Sequence, residues 1–196
     1  MIIDVSRSFT SLQSTRFYKE SLNSFGTNIA VLHIPDNALN DDDYTIFDFS
    51  RYHRLEALEI GNSCLTFVDK FRIDGLKHLK SIKIGDNSCT KIKEGYGENT
   101  TRSFSLMNCD ELELIEIGRF SFSDYAGKFE VKNLPSLSSI KMGEIGRISY
   151  NFYYSSFAIE GRSDGSLDIQ TFPIWCLFHW VMERSNFPQQ LLLTVH

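Results

Sequence analysis

Leu55-Glu56-Ala57-Leu58-Glu59-Ile60-Gly61 is the stretch on which the fold turns. An apolar residue is followed by two variable ones, an apolar, a variable, an apolar, and Gly. The same spacing returns as Ile29-Leu32-Ile34-Pro35, Leu79-Ile82-Ile84-Gly85, Leu112-Ile115-Ile117-Gly118 and Leu137-Ile140-Met142-Gly143, the five units opening 26, 24, 33 and 25 residues apart. A second pattern is locked to the first. The triplets Phe47-Asp48-Phe49, Phe71-Arg72-Ile73, Phe104-Ser105-Leu106 and Phe129-Glu130-Val131 each place their leading Phe eight residues before the Leu of the next unit. Five residues after that Phe come Leu76, Cys109 and Leu134 in three of the units. A fifth triplet, Phe157-Ala158-Ile159, leads to Leu167 after ten residues, where the period decays.

Both patterns alternate apolar and variable residues with period two, which reads as strand. Two strands per repeat, recurring with a fixed offset, predict a β-rich solenoid of about five coils with parallel strands. Each coil is too small to bury its own apolar face and is covered by its neighbours. The Gly after the first strand is expected at a sharp corner that needs positive φ. Pro35, which replaces it in the first coil, is expected on an edge strand.

The Leu-x-x-Ile-x-Ile-Gly units and Phe-x-Ile triplets resemble the leucine-rich repeat, in the Phe-rich variety of bacterial-surface-antigen-type and protist repeat proteins. The resemblance covers about residues 29 to 167 and implies a leucine-rich-repeat superhelix. It departs from the commonest pattern in two ways. The Phe-x-Ile strand replaces the usual helix, and Arg119 and Glu144 interrupt any Asn ladder suggested by Asn37, Asn62 and Asn87. The domain reading is an N-terminal cap or partial coil over 1–28, the solenoid over 29–167, and a C-terminal capping segment over 168–196. Within the last, Phe172 to Met182 reads as a short capping helix with Pro173 in its first turn.

The chain has 196 residues and a formal net charge of -5, which excludes a general nucleic-acid binder dependent on a basic face. No apolar run reaches the length of a membrane span. The N-terminus lacks the basic start and apolar stretch of a secretory signal. The four cysteines form no Cys-x-x-Cys pair. These features point to a cytoplasmic protein with reduced structural thiols.

Neither a catalytic constellation, nor a cofactor motif, nor a metal-ligand spacing stands out. The five histidines follow no nucleophile or metal spacing. Gly95-Tyr96-Gly97 lacks the Lys-Ser/Thr and helix of a phosphate-cradling loop. Asp41-Asp42-Asp43 reads as a solvated acidic turn, because a calcium loop needs regularly spaced acceptors. Contact with another protein is therefore the expected activity, and the candidate residues sit where a solenoid displays variable positions. One column of the first strand reads His33, Glu59, Lys83, Glu116, Lys141. Its charges alternate in sign from the second coil onward, so that neighbours should pair between coils and fix the register. A second column is small or apolar: Val31, Ala57, Ser81, Leu114, Ser139.

The third coil carries an insertion of about eight residues, Lys93 to Thr101. It is expected as a tolerated loop with Tyr96 available for contact. Asn99-Thr100-Thr101 within it is a glycosylation sequon. In the aromatic stretch from Tyr150 to Phe157, Tyr153 is expected in the core because it precedes Phe157 as Tyr125 precedes Phe129. Tyr150, Phe152 and Tyr154 fall off that register and, exposed, form a hot-spot cluster. Two other functions fit the repeats: a surface or secreted adhesion protein, and an enzyme on a parallel β-helix, which would need aligned carboxylates in a groove.

Overall fold

The computed structural model describes residues 2–4, 28–160 and 167–170. The capping helix expected over Phe172–Met182, most of the N-terminal cap and the fourth cysteine, Cys176, lie outside the described residues. Twelve short strands make the fold: β1 (Ile2–Asp4), β2 (Val31–Ile34), β3 (Ile46–Asp48), β4 (Ala57–Ile60), β5 (Lys70–Asp74), β6 (Ser81–Ile84), β7 (Ser103–Met107), β8 (Leu114–Ile117), β9 (Lys128–Lys132), β10 (Ser139–Met142), β11 (Ser156–Ile159) and β12 (Asp168–Gln170). They wind into two parallel sheets. The seven-stranded sheet runs β1-β2-β4-β6-β8-β10-β12, and the five-stranded sheet runs β3-β5-β7-β9-β11. The chain is thus a parallel β-solenoid of about five coils, β2–β3 through β10–β11, and no helix occurs among the described residues.

Register follows the apolar columns. Leu32, Leu58, Ile82, Ile115 and Ile140 stand directly in file, as do Ile34, Ile60, Ile84, Ile117 and Met142. All ten are buried. A shift of one residue would turn every one of these side chains to solvent, so the hydrophobic pattern itself fixes the pairing. On the other sheet Phe47, Phe71, Phe104, Phe129 and Phe157 stack at centroid separations of 4.8, 5.1, 4.9 and 5.0 Å. Tyr52, Leu76, Cys109 and Leu134 close the second corner from inside, Tyr52 taking in the first coil the place that the other coils give to Leu or Cys. Each fully buried Leu, Ile or Phe contributes roughly 1.5–3 kcal/mol, and here each finds its partners in the coils above and below.

The first corner differs from the expectation. Gly61, Gly85 and Gly118 do not adopt positive φ, which among the repeat glycines belongs to Gly143. They are required because coils approach closely. A Cβ at Gly61 would stand 2.6 Å from the Asp36 nitrogen, at Gly85 2.7 Å from the Gly61 carbonyl carbon, and at Gly118 2.6 Å from the Asp86 nitrogen. The left-handed residues come later and are not glycines. They recur in pairs, Asn37/Leu39, Ser63/Leu65, Asn87/Cys89, Phe120/Phe122 and Tyr150/Phe152, all with φ between 50 and 60°. Each costs on the order of 1–2 kcal/mol. The strain is offset because the twisted corner aims its N–H groups along the stack: Asn37, Ser63, Asn87 and Phe120 donate to Asn62, Asp86, Arg119 and Ser149 of the following coil.

Between each left-handed pair lies a buried residue: Ala38, Cys64, Ser88, Ser121 and Asn151. From Cys64 on, each donates its side chain to a carbonyl one coil below. Cys64 Sγ meets Pro35 O at 3.0 Å, Ser88 Oγ meets Gly61 O at 2.7 Å, Ser121 Oγ meets Gly85 O at 2.5 Å, and Asn151 Nδ2 meets Gly118 O at 2.7 Å. An acceptor ladder also exists, and it runs through Asp36, Asn62 and Asp86 in place of Asn37, Asn62 and Asn87. The Asp36 Oδ1 accepts Asn62 N–H, Asn62 Oδ1 accepts Asp86 N–H, and Asp86 Oδ1 accepts Arg119 N–H, at 2.7, 2.7 and 2.8 Å. It stops at Arg119, whose side chain has no acceptor. The first strand of the first coil, finally, is not an edge: β1 lies beside β2. Pro35 lacks an N–H at the position where Gly61, Gly85, Gly118 and Gly143 each donate to the coil below.

Candidate functional site

The charged column stands as expected on the seven-stranded sheet. His33, Glu59, Lys83, Glu116 and Lys141 occupy paired positions on β2, β4, β6, β8 and β10. His33 Nδ1 lies 3.4 Å from Glu59, Lys83 Nζ 3.8 Å from Glu116, and Lys141 Nζ 3.2 Å from Glu116. Beside it runs an open groove of about 510 Å3, lined by Glu59, Lys83, Asp86, Glu116 and Lys141 over the glycine corner. Within the column Lys83 stands between Glu59 and Glu116. Exposed pairs of this kind contribute about 0–1 kcal/mol each and serve register more than stability.

Aromatic side chains collect on the turns that follow the glycine corner in the fourth and fifth coils. The third-coil insertion forms an arm across that corner. Its far end runs beside the next coil: Gly97 N–H donates to Ser123 O, Asn99 N–H to Asp124 O, and Ala126 N–H to Asn99 O, at 3.2, 3.1 and 3.0 Å. It is therefore an anchored element rather than merely a tolerated loop. At its tip the Tyr96 ring packs 4.9 Å from Tyr150, 4.7 Å from Tyr153 and 5.7 Å from Tyr154. Tyr150 lies 5.4 Å from Tyr153 and 6.1 Å from Phe120, and Arg119 covers Phe120 at 4.8 Å. The Arg119 guanidinium donates to Ile148 O at 3.2 Å and so joins the tyrosines to the fifth-coil turn. Ile145 and Ile148 on that turn are each 63% exposed, Tyr96 45% and Tyr154 41%.

Three of the four aromatic contact candidates thus converge: Tyr96, Tyr150 and Tyr154. Phe152 does not, and its expected exposure is corrected. It is fully buried, stacked 4.8 Å from Phe122. Tyr153, expected in the core, is half-buried in the surface cluster, as is Tyr150. Spacing counted back from Phe157 misplaces the register, because the corner turns on the left-handed pair. Phe120-x-Phe122 aligns with Tyr150-x-Phe152, and this doublet was the available signal. Tyr153 then falls level with Ser123, whose hydroxyl bonds Thr90 at 2.9 Å.

Other candidates resolve simply. Asp41, Asp42 and Asp43 hold their carboxylates within 4.8 Å of one another on a partly exposed turn. Cys64, Cys89 and Cys109 are free and buried. Burial pushes the Cys64 and Cys109 thiols up to about 11 and Cys89 well above its usual value, so all three stay protonated. The Asn99 side-chain oxygen accepts the Thr101 N–H and hydroxyl, at 3.0 and 2.7 Å. Among the described residues no helix is long and apolar enough to cross a membrane.

Fold and surface together define a two-sheeted parallel β-solenoid with an aromatic corner built by one insertion. No family model matches the chain, and neither a search of curated proteins nor one of solved structures finds a match.

Proposed function

We propose that this protein is a non-catalytic interaction scaffold of the leucine-rich-repeat type, which binds another protein through the tyrosine corner and the charged groove beside it. The convergence of Tyr96, Tyr150, Tyr153 and Tyr154 from two separate coils, next to exposed Ile145 and Ile148, carries the reading. Clustered tyrosines offer large, rigid contact area with little side-chain entropy to lose. An exposed apolar group of this kind marks an interaction site far more often than a bare solenoid surface does. Glu59, Lys83, Glu116, Lys141 and His33 supply a polar rim of mixed charge, suited to a partner that is likewise mixed. Leu-x-x-Ile-x-Ile-Gly strands and the Asp36–Asn62–Asp86 ladder support the repeat type. Buried reduced cysteines fit a cytoplasmic setting.

The test is a photo-crosslinking amino acid placed at Tyr154 and, as control, at exposed Lys77 on the second corner, in the cells that make the protein. A defined protein crosslinked from 154 alone, and lost when Tyr96→Ser is added, supports the reading. Equal labelling from 154 and 77, or none from 154, rejects it. An adhesion role for the same surface rests on the Asn99 sequon. A glycan on Asn99, seen by peptide mass spectrometry of natural material, would favour that role.

A further inference from the structure

We infer that Asp124 is the latch of the third-coil arm, a positioning residue that together with Arg102 sets where Tyr96 is presented. The inference rests on the tyrosine corner being the contact surface. The arm leaves the repeat at Lys91 and returns at Arg102, and a single carboxylate holds both feet. Asp124 Oδ2 accepts the Lys91 N–H at 3.2 Å, while Arg102 Nη1 lies 2.6 and 2.7 Å from the two Asp124 oxygens. The Asp124 main-chain carbonyl takes a third bond, from Asn99 N–H at 3.1 Å. The arm also passes directly over this residue: a Cβ at Gly97 would stand 3.3 Å from Asp124 Cβ and 2.5 Å from Ile92 Cδ1. A side chain at 97 would have to push the tip of Ile92 aside.

Arg102 in turn is tied to the second coil. Its Nε donates to Asp69 at 2.9 Å and its Nη2 to Thr66 O at 2.6 Å, and its guanidinium lies 5.1 Å from the Tyr125 ring. Its side chain is fully buried and that of Asp124 nearly so. Burial opposes the charged guanidinium, but Asp124 and Asp69 outweigh it and raise its pKa above the usual arginine value. A buried ion pair is a poor stabiliser compared with apolar side chains of equal volume, and its best-attested use is to specify geometry. Its placement fits that use. At the level of Arg102 the coils on either side, which have no arm, carry Asp69 and Gly127. The arginine occurs in the coil that must hold an arm. Loss of the latch should free Tyr96 from the corner while the Leu/Ile and Phe files remain stacked.

The experiment compares the full chain with Asp124→Asn and Arg102→Lys by amide hydrogen exchange, and by ring-to-ring NOEs between Tyr96 and Tyr153. The expected result is an increase of about tenfold or more in exchange over 91–101, as for a locally opened segment, with the Tyr96–Tyr153 NOEs lost in Asp124→Asn. Arg102→Lys, which keeps the cation but not the fork, should give a smaller rise in the same place. Exchange in β6 and β8 should stay near the parent rates in both. Unchanged exchange in the arm, a rise spread evenly over all coils, or failure of both variants to fold would each overturn the proposal. Tyr96→Ser separates the two ideas. It should abolish crosslinking from Tyr154 with the feet of the arm still protected, so a wrong contact surface and a wrong latch give different results.

Discussion

At the scale of single residues, the solenoid is governed by how close one coil can come to the next. Gly85 and Gly75 make the contrast. A Cβ at 85 would meet the Gly61 carbonyl carbon at 2.7 Å and the Asn62 nitrogen at 2.8 Å, both backbone atoms that cannot turn away. At Gly75 the backbone has φ of 75° but nothing lies within 4 Å of the added atom. Gly85→Ala should therefore cost about 3 kcal/mol, the upper range for overpacking, and Gly75→Ala about 1 kcal/mol for the left-handed conformation alone. Urea unfolding of the two variants checks the order, and equal midpoints would show that coil spacing is not the constraint. The thiols make a second residue-scale case. Their folded pKa lies above the unfolded value of 9.0, near 11 for Cys64 and Cys109. The unfolded chain therefore ionises first as pH rises. The stabilisation is complete below pH 9 and falls away between 9 and 11, and Cys64→Ala should flatten that part of the stability profile. In a Cys176→Ser background, a thiol reagent at pH 8 should label Cys64, Cys89 and Cys109 only as fast as the chain unfolds. Fast labelling of the folded protein would contradict their burial.

At the scale of elements, five strands of the seven-stranded sheet, β2, β4, β6, β8 and β10, each contribute one member to the charged column. Glu116 is the member paired on both sides, 3.8 Å from Lys83 and 3.2 Å from Lys141. Glu116→Lys would set three cations in adjacent strands and should destabilise by about 1 kcal/mol, less in 1 M salt, where the Debye length shrinks to roughly 3 Å. Denaturant midpoints at low and high salt measure the difference, and a salt-independent loss would point to packing instead. The column was legible from spacing alone, because a period of two and a constant offset leave no freedom about which face a residue occupies. The corners were not legible in the same way. Left-handed φ falls on Asn and Ser but also on Leu39, Leu65, Phe120 and Phe152. No residue-type rule assigns it there. It follows from the need to turn N–H groups along the stack, which is a property of two coils and not of one. The misreading that set Tyr153 in the core and Phe152 at the surface has the same origin.

For the whole molecule, stability is close to one-dimensional: a coil packs chiefly against its neighbours. Phe104 in the central coil is stacked between Phe71 and Phe129 and met edge-on by Phe122 and Phe152. Phe104→Ala should cost about 3–5 kcal/mol. Amide protection should be greatest in β6, β7 and β8 and decline toward both ends of the stack. Uniform protection along the chain would mean that the coils unfold only together. Across this stack, long-range bonds also tie distant coils, as when Tyr125 donates its hydroxyl to Val68 O at 2.6 Å, two coils below. The same ties organise the arm.

The amino-acid sequence by itself determined the repeat, its strands, the faces they bury and the column of charges, because apolar side chains at a fixed spacing can all be sheltered only by stacking in register. Tertiary structure alone decided the rest. It placed Tyr96 against tyrosines over fifty residues later, hid Phe152, and brought Lys91 and Arg102 onto the Asp124 carboxylate. Those contacts depend on how high an insertion climbs along the stack, a distance that no local period encodes.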